Sequence, residues 1–486
     1  MGFCGIADDR GPELLDYIDC IFQYTTFYKI PVIGIPVSIF FTILIAIYLF
    51  FKLNCAPITL FKHSLDIVQD KYTNKNAPGA FTPKEAIYAA ALGTVGLGSV
   101  GGMAVAIGFG GPGAVFWLIV IGIFLSILKF SEIALGHKFR IVDEKEGKAS
   151  GGPFLYMEKS FEFLKMPKLG KCIGMFYAFL MLLCVFFSTN MFQCGQTMLV
   201  LESNFDIFQS DLSHWILGGI VVALVGITIS GGLEGISKIA NKLVPFMTLS
   251  YIVAALIILA VNIQGIPEAF STIIREAFNL KAATGGLIGG VAYGALRSLY
   301  VTESGAGTSA ISHSSAKTTN HIMEGCTGFI EVLFPMIVCL MTGLIVVVTK
   351  SHEMEGALGV VMTSNAFSSV ASWFSIILTI QVPFLAITTA ITWGLYGDRV
   401  WTYFFGVKAP KLLFKILFLL CTLGGFVIRD QTLVVRLADY VWISMVVPNV
   451  IVLFLMRNVI KTDLTEYLRK IKSGEISKVK TAEENK

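Results

Sequence analysis

The chain has 486 residues, 55% of them apolar and only 14% Asp, Glu, Lys or Arg, with a mean hydropathy of +0.74. Soluble domains carry about 25% charged residues, so a multi-domain soluble protein is excluded, as are a disordered chain, a collagen and a secreted disulfide scaffold. A net charge of +4 is too small to point to nucleic acid, and a polytopic membrane protein in the lipid bilayer remains.

Residues 1–30 form an acidic tail (Asp8, Asp9, Glu13, Asp16, Asp19) without the basic-then-apolar order of a signal peptide. Ile6 stands where a myristoylation motif needs Ser or Thr. Apolar runs that cross a bilayer need about 17–25 residues. Eleven are predicted, near 31–53, 84–109, 111–137, 172–200, 214–231, 240–263, 283–310, 323–349, 366–395, 412–428 and 432–456. They are too long and continuous for β-barrel strands. The fold class is therefore an all-α polytopic membrane protein with a cytoplasmic C-terminal tail at 457–486. The nine cysteines are scattered, form no Cys-x-x-Cys pair and read as small apolar fillers.

Lysine and arginine decide the orientation. With the N-terminus outside, inside segments carry 28 basic residues and outside segments 7, while Lys129 and Arg297 fall within spans. This places the N-terminus outside and the C-terminus in the cytoplasm of a plasma (inner) membrane.

Two spans break the rules. The second holds Gly93, Gly96, Gly98, Gly101 and Gly102, and the seventh holds Gly285, Gly286, Gly289, Gly290 and Gly294 before Glu303-Ser-Gly-Ala-Gly-Thr-Ser309. Each glycine weakens a helix by roughly 1 kcal/mol relative to alanine, and unwound backbone at membrane depth survives only in a protein interior or along a cavity. Close packing of small residues is the rival reading. With the first span set aside, ten remain as five and five, and a glycine-rich helix opens each half in opposite directions. That is an inverted repeat, 84–263 against 283–456, with 31–53 as an extra helix. It points to a secondary transporter with its site at the midplane.

Polar residues within spans are costly and informative. Lys129 and Glu132 share a helix face and read as a structural or gating pair. Arg297 and Glu303, six apart, are expected to link helices. Glu331 is expected to be snorkelling or paired. Asn190 and Gln193 form a stripe that is either interhelical glue or a substrate contact. Thr388 and Thr389, with backbone carbonyls of a broken helix, suit a sodium cage, and Trp393 one turn on would wall a small side chain. No Walker A sequence is present, so ATP is excluded and ion gradients supply the work. Proton coupling through Glu303 or His313 is the alternative; a channel or a sensor is more remote. An intramembrane hydrolase is disfavoured because Leu97 breaks Gly-x-Ser-x-Gly around Ser99.

These residues carry a resemblance to the alanine or glycine:cation symporter family (sodium:alanine symporter type), within the amino acid-polyamine-organocation superfamily. It runs from about residue 81 to 460. The similar stretches are Thr94-Val-Gly-Leu-Gly-Ser-Val-Gly-Gly102, Gly110-Gly-Pro-Gly-Ala-Val-Phe-Trp117, Lys129-Phe-Ser-Glu132, Gly151-Gly-Pro153 and Asn190-Met-Phe-Gln193. Then follow Gly231–Lys238, Lys242-Leu-Val-Pro245, Arg297–Thr308 with His313, Thr388–Trp393 and Tyr396-Gly-Asp-Arg399. The resemblance implies a leucine-transporter-type fold and sodium-coupled uptake of alanine, glycine or a similar small neutral amino acid (D-alanine and serine included), with sodium as coupling ion and no organic cofactor. It implies that Gly96, Leu97 and Gly98 hold the substrate carboxylate, with Ser99 and Thr389 beside it, and that Gln193, Gly305, Ala306 and Trp393 line the pocket. It also implies sodium ligands from the backbone oxygens of Leu92, Val95 and Leu385 and the hydroxyls of Thr388 and Thr389. Ser99 replaces the family's Asn, Thr302-Glu303-Ser304-Gly305 its Asn-Glu-Ala-Gly, Ala306 its Met, and Pro335 an Asp.

Overall fold

The structure is a computed structural model that describes residues 28, 30, 35–72, 77–94, 96–143, 148–279, 286–354, 359–429 and 431–478. The acidic tail, Cys4, Cys20, Val95 and Gly285 lie outside these residues. The described chain is almost entirely helical; its one sheet is a hairpin, Ile141–Asp143 against Lys148–Ser150.

Among the described residues, six helices are long and apolar enough to cross a membrane: Gly113–Lys138, Pro167–Glu202, Asp211–Ser230, His321–Val348, Ser375–Phe405 and Ala438–Leu455. The number rises to eight if two bent pairs each count as one span: Pro83–Thr94 with Leu97–Gly110, bent by 48°, and Pro245–Val261 with Ile263–Ala277, bent by 84°. The three other predicted runs hold the helices Val37–Lys52, Gly286–Thr302 and Lys411–Val427, of 16, 17 and 17 residues. Two runs lead directly into a further helix. The sixth run turns through 84° into Ile266–Ala277, whose Pro267 stands in its first turn. The last run ends at Leu455 and is followed by the helix Arg457–Ser473.

Two helices form the centre. Gly113–Lys138 buries its whole second half, from Leu125 to His137, and His321–Val348 buries almost every residue up to Val332. Such all-round burial requires neighbours on every side. At the periphery, Asp211–Ser230 exposes Leu212, Ile216, Ile220, Leu224 and Ile227. That spacing is one stripe of a helix whose solvent is lipid.

The two glycine-rich spans differ. In Gly286–Thr302 the glycines are contact points within an intact helix. A Cβ at Gly294 would lie 2.9 Å from the Ala114 carbonyl oxygen and from Trp117 Cβ, and one at Gly110 would lie 2.8 Å from the Gly289 carbonyl oxygen. The small residues let the backbones of three helices touch, which is the packing reading. Among the described residues of this span, unwinding is confined to 303–308, between Gly286–Thr302 and Ser309–Ser314.

Candidate functional site

The first break lies between Thr94 and Leu97. Gly96 caps the second helix segment in an extended conformation, φ −127° and ψ −163°. The first N–H groups of a helix have no partner within it. Here Gly96 N–H donates to the Thr94 carbonyl and Ser99 N–H to the Gly96 carbonyl, while Leu97 and Gly98 N–H make no such bond among the described residues. A Cβ built at Gly98 meets nothing within 4 Å. Donors at a positive helix end with no partner among the described residues, beside open space, suit a carboxylate.

Three distant segments converge on this point. A Cβ at Gly96 would lie 3.0 Å from Thr389 Oγ1 and 3.5 Å from Gln193 Nε2. One at Gly93 would lie 3.2 Å from Thr392 Cγ2 and 3.6 Å from Trp393 Nε1. Thr389 Oγ1 donates to the Leu92 carbonyl at 3.5 Å, and Thr388 Oγ1 to the Leu385 carbonyl at 3.0 Å. Thr388 and Thr389 are each 1% exposed. The set is neutral oxygen throughout, the donor chemistry of a hard cation, and it fits a sodium ion. Gln193 Oε1, Ser99 Oγ and Trp393 Nε1 are buried without a hydrogen-bond partner among the described residues. Trp393 is fully buried against Tyr396 and Trp442.

The Asn190–Gln193 stripe splits in two. Asn190 Nδ2 donates to the Phe418 carbonyl and Thr422 Oγ1, tying its helix to Lys411–Val427. Gln193 faces the break. A π-helical segment, Cys184–Met191, immediately precedes it. Such segments often occur at functional sites, and this one turns the two amides to different neighbours.

The second break is occupied by the protein itself. Glu303, Gly305 and Gly307 have φ of 49°, 87° and 87°, the left-handed region in which glycine carries no penalty. Gly305 and Gly307 N–H donate to Glu132 Oε2 at 3.1 and 3.0 Å. Asn449 Nδ2 donates to the Gly305 carbonyl at 2.8 Å, and Tyr177 OH donates to the Ala306 carbonyl. Gly305 packs toward Val450, Leu128 and Val446. Thus Gly305 and Ala306 face the interior opposite Glu132, whereas Gln193, Thr389 and Gly96 form one group.

Lys129 and Glu132 pair as their spacing predicts, 3.5 Å apart and both fully buried. Lys129 also lies 3.4 Å from Glu331 and donates to Ser309 Oγ at 2.8 Å. Glu331 Oε2 then meets His313 Nε2 at 2.9 Å, and His313 Nδ1 meets Glu324 Oε1 at 2.6 Å. Glu331 is paired rather than snorkelling. Glu303 accepts from Thr308 Oγ1 at 2.6 Å. Arg297 does not meet Glu303 in an ion pair; its guanidinium lies 5.6 Å from the Tyr300 ring, and Tyr300 OH donates to Asp439. Sequence reasoning missed Asn449, Tyr156 and Glu324. Asn449 is a mid-span amide beside Pro448, a signal of the kind that singled out Asn190. Nothing local marks Tyr156, whose hydroxyl donates to Asn449.

Comparison with known proteins supplies the remaining evidence. The family model described as the sodium:alanine symporter family matches residues 21–481. The sodium/alanine symporter AgcS of Methanococcus maripaludis is 31% identical over 436 residues, 88% of this chain and 93% of that protein. A Bacillus subtilis protein described as a probable sodium/glutamine symporter, GlnT, is 29% identical over 88% of this chain and 87% of its own length. Among solved structures, a manganese transporter variant from Eremococcus coleocola aligns with a TM-score of 0.47 and 14% identity over 76% of each chain. The chain is a membrane-embedded transporter, not an enzyme, and it belongs to the sodium:alanine symporter family.

Proposed function

We propose that the protein is a sodium-coupled symporter that takes up a small neutral amino acid, alanine or glycine, by alternating access. One observation carries the reading: the helix break at Gly96 brings two backbone N–H groups with no partner among the described residues, the Gln193 amide and the Thr389 hydroxyl to one place. Leu97 and Gly98 hold the substrate carboxylate. Gln193 Oε1 accepts from the ammonium, and Trp393 limits the side chain. Leu92, Leu385, Thr388 and Thr389 hold sodium one helix turn away. Ion and substrate then share Thr389, so each raises the affinity for the other.

The reading includes eleven spans as an extra helix and a five-plus-five inverted repeat, with the N-terminus outside. Val37–Lys52 and Lys411–Val427 cross at the short end of the usual length range. One sodium ion crossing about 100 mV contributes roughly 2.3 kcal/mol, and each tenfold sodium gradient about 1.4 kcal/mol. Together they sustain accumulation of roughly 10²–10³-fold.

In proteoliposomes, alanine uptake is expected to require an inward sodium gradient and to rise with an inside-negative potential. Equal uptake in choline buffer overturns the reading. Thr389→Val keeps the volume and removes one ligand; it is expected to raise the sodium concentration for half-activation by about tenfold, the effect of one lost hydrogen-bond-strength contact.

A second reading, proton coupling, is favoured by His313. Each of its ring nitrogens meets a different carboxylate, Glu324 or Glu331. A neutral imidazole has one N–H, so this arrangement holds an additional proton. Uptake driven by a pH gradient without sodium supports this reading; none under that gradient eliminates it.

A further inference from the structure

The helices Asp211–Ser230 and Lys411–Val427 pack side by side in opposite directions. Arg429 pairs with Asp211 at one end, and Lys415 Nζ lies 3.5 Å from Ser230 Oγ at the other. At this second end the two helices meet Ser375–Phe405, and a cavity of about 240 Å³ opens between the three. That is far more than the share of one water, about 30 Å³. Ile229, Gly394, Leu395 and Phe414 form its apolar walls, and Ser230, Asp398, Lys411 and Lys415 its polar side. The wall is tightly packed at Gly394, where a Cβ would lie 2.9 Å from Ile229 Cγ2. Around the cavity the helices expose Leu224, Ile227, Leu412 and Ile416, faces that suit contact with lipid.

The polar side has spare positive charge. Lys411 and Lys415 stand at i and i+4 on one helix, so both ammonium groups leave from one face. Lys411 Nζ lies 2.9 Å from Asp398 Oδ2. An ammonium has three donors, so this pair leaves two of them for another acceptor. Ser230 Oγ donates to the Gly226 carbonyl at 2.8 Å and therefore accepts from Lys415. At 3.5 Å that contact is long for a hydrogen bond, and Lys415 enters no ion pair among the described residues. Two ammonium groups thus face one carboxylate, an excess of one positive charge beside an apolar wall.

We infer that this cavity holds the headgroup of an anionic phospholipid. Its phosphodiester meets Lys411 and Lys415, and the carbons next to it lie against Phe414, Leu395 and Ile229. One phosphodiester carries one negative charge, which matches the excess. A soluble anion would use the lysines and not the walls, and a bare acyl chain would use the walls and not the lysines; a phospholipid uses both. Basic pockets between transmembrane helices on the cytoplasmic side take lipid headgroups in this way, and the distribution of basic residues puts Lys411 and Lys415 on that side. The cavity is separate from the helix break at Gly96, yet it shares a helix with that site. Gly394 directly follows Trp393, and Thr388 lies two turns before Leu395. A lipid seated here braces the helix that carries the proposed ion and substrate ligands.

The experiment adds phosphatidylglycerol, phosphatidylcholine or glycerol 3-phosphate to the purified, delipidated full chain in detergent. Native mass spectrometry counts the bound molecules, and thermal stabilisation gives the affinity. Phosphatidylglycerol is expected to bind and to raise the melting temperature well beyond the other two. Lys415→Gln is expected to weaken phosphatidylglycerol about tenfold, the effect of one lost charge-assisted contact. An unchanged melting temperature in phosphatidylcholine shows that this variant folds. Asp398→Asn releases Lys411 and is expected to tighten phosphatidylglycerol binding, whereas a purely structural ion pair would only lose stability. Equal binding of phosphatidylglycerol and phosphatidylcholine overturns the proposal, as does an affinity unchanged in both variants. Equal stabilisation by glycerol 3-phosphate reduces the cavity to an anion site and overturns the lipid as its occupant. The assay needs neither sodium nor amino acid, so its outcome is independent of the transport reading.

Discussion

At the residue scale, Gly96 is the most constrained position at the first break. Its backbone is extended, which any residue adopts, so its identity is set by space and not by conformation. A methyl group there would stand 3.0 Å from Thr389 Oγ1 and 3.5 Å from Gln193 Nε2. Both would have to shift by a few tenths of an ångström, and a small displacement of positioned groups lowers turnover by as much as about 10²-fold. Gly96→Ala is expected to reduce uptake by at least about tenfold with normal expression and melting temperature. Wild-type uptake by this variant would show that the break does not position substrate. Gly98→Ala is the internal control, because a Cβ there has open space in the protein; it is expected to act on substrate affinity and not on folding.

At the scale of elements, the two helix breaks are built for different tasks. The first leaves the Leu97 and Gly98 N–H groups without a partner among the described residues, and the second directs the Gly305 and Gly307 N–H groups to Glu132. Glu132 also balances Lys129, and removing one partner of a buried pair costs about 3–5 kcal/mol. Glu132→Ala is expected to lower the melting temperature by several degrees in detergent and to abolish uptake, since Gly305 and Gly307 N–H lose their acceptor. Glu132→Gln retains the shape and one acceptor oxygen, so it is expected to recover much of the stability. Equal stability of Glu132→Ala and wild type would refute the role given to the carboxylate. Sequence spacing made the Lys129–Glu132 pair legible, because i,i+3 neighbours share a face whatever surrounds them. The completion of the cluster by Glu331, His313 and Asn449 was not, since those contacts span separations of up to 317 residues that periodicity does not encode.

At the scale of the whole molecule, the C-terminal helix Arg457–Ser473 acts as a clasp across the bundle. Asp463 bridges Lys138 at 2.5 Å and His321 at 2.9 Å, while Tyr467 meets His63 at 2.7 Å. It therefore joins the ends of two central helices to the segment that follows Val37–Lys52. Hydrogen bonds and charge from His321 and Lys138 hold the Asp463 carboxyl below the usual carboxylate value, against the opposing effect of partial burial. A depressed carboxylate contributes stability that is present above its unfolded value, near 4, and is lost as pH falls through the folded value. The clasp is thus expected to be intact at neutral pH and to weaken only in acid below about pH 4. Asp463→Asn is expected to cost about 1 kcal/mol, typical of partly exposed pairs, at pH 7 and to cost progressively less in that acid range. A difference between variant and wild type that does not shrink with acid would refute the assignment.

Membrane class, helical content and the two unusual glycine-rich spans were determined by the sequence itself. They follow from local properties: low charge, runs of apolar residues, and glycines that a helix tolerates poorly. Family membership was legible for the same reason, as short motifs in a fixed order. Only the tertiary structure decided which glycines unwind a helix and which let helices touch, because at Gly96 and at Gly294 the same residue type meets different neighbours. It also separated Asn190, spent on a neighbouring helix, from Gln193, which faces the break. Thr248 and Gln381 look like ordinary intramembrane polar residues in the sequence. Only in the structure do both border one small cavity beside Gly96, from helices far apart in the chain.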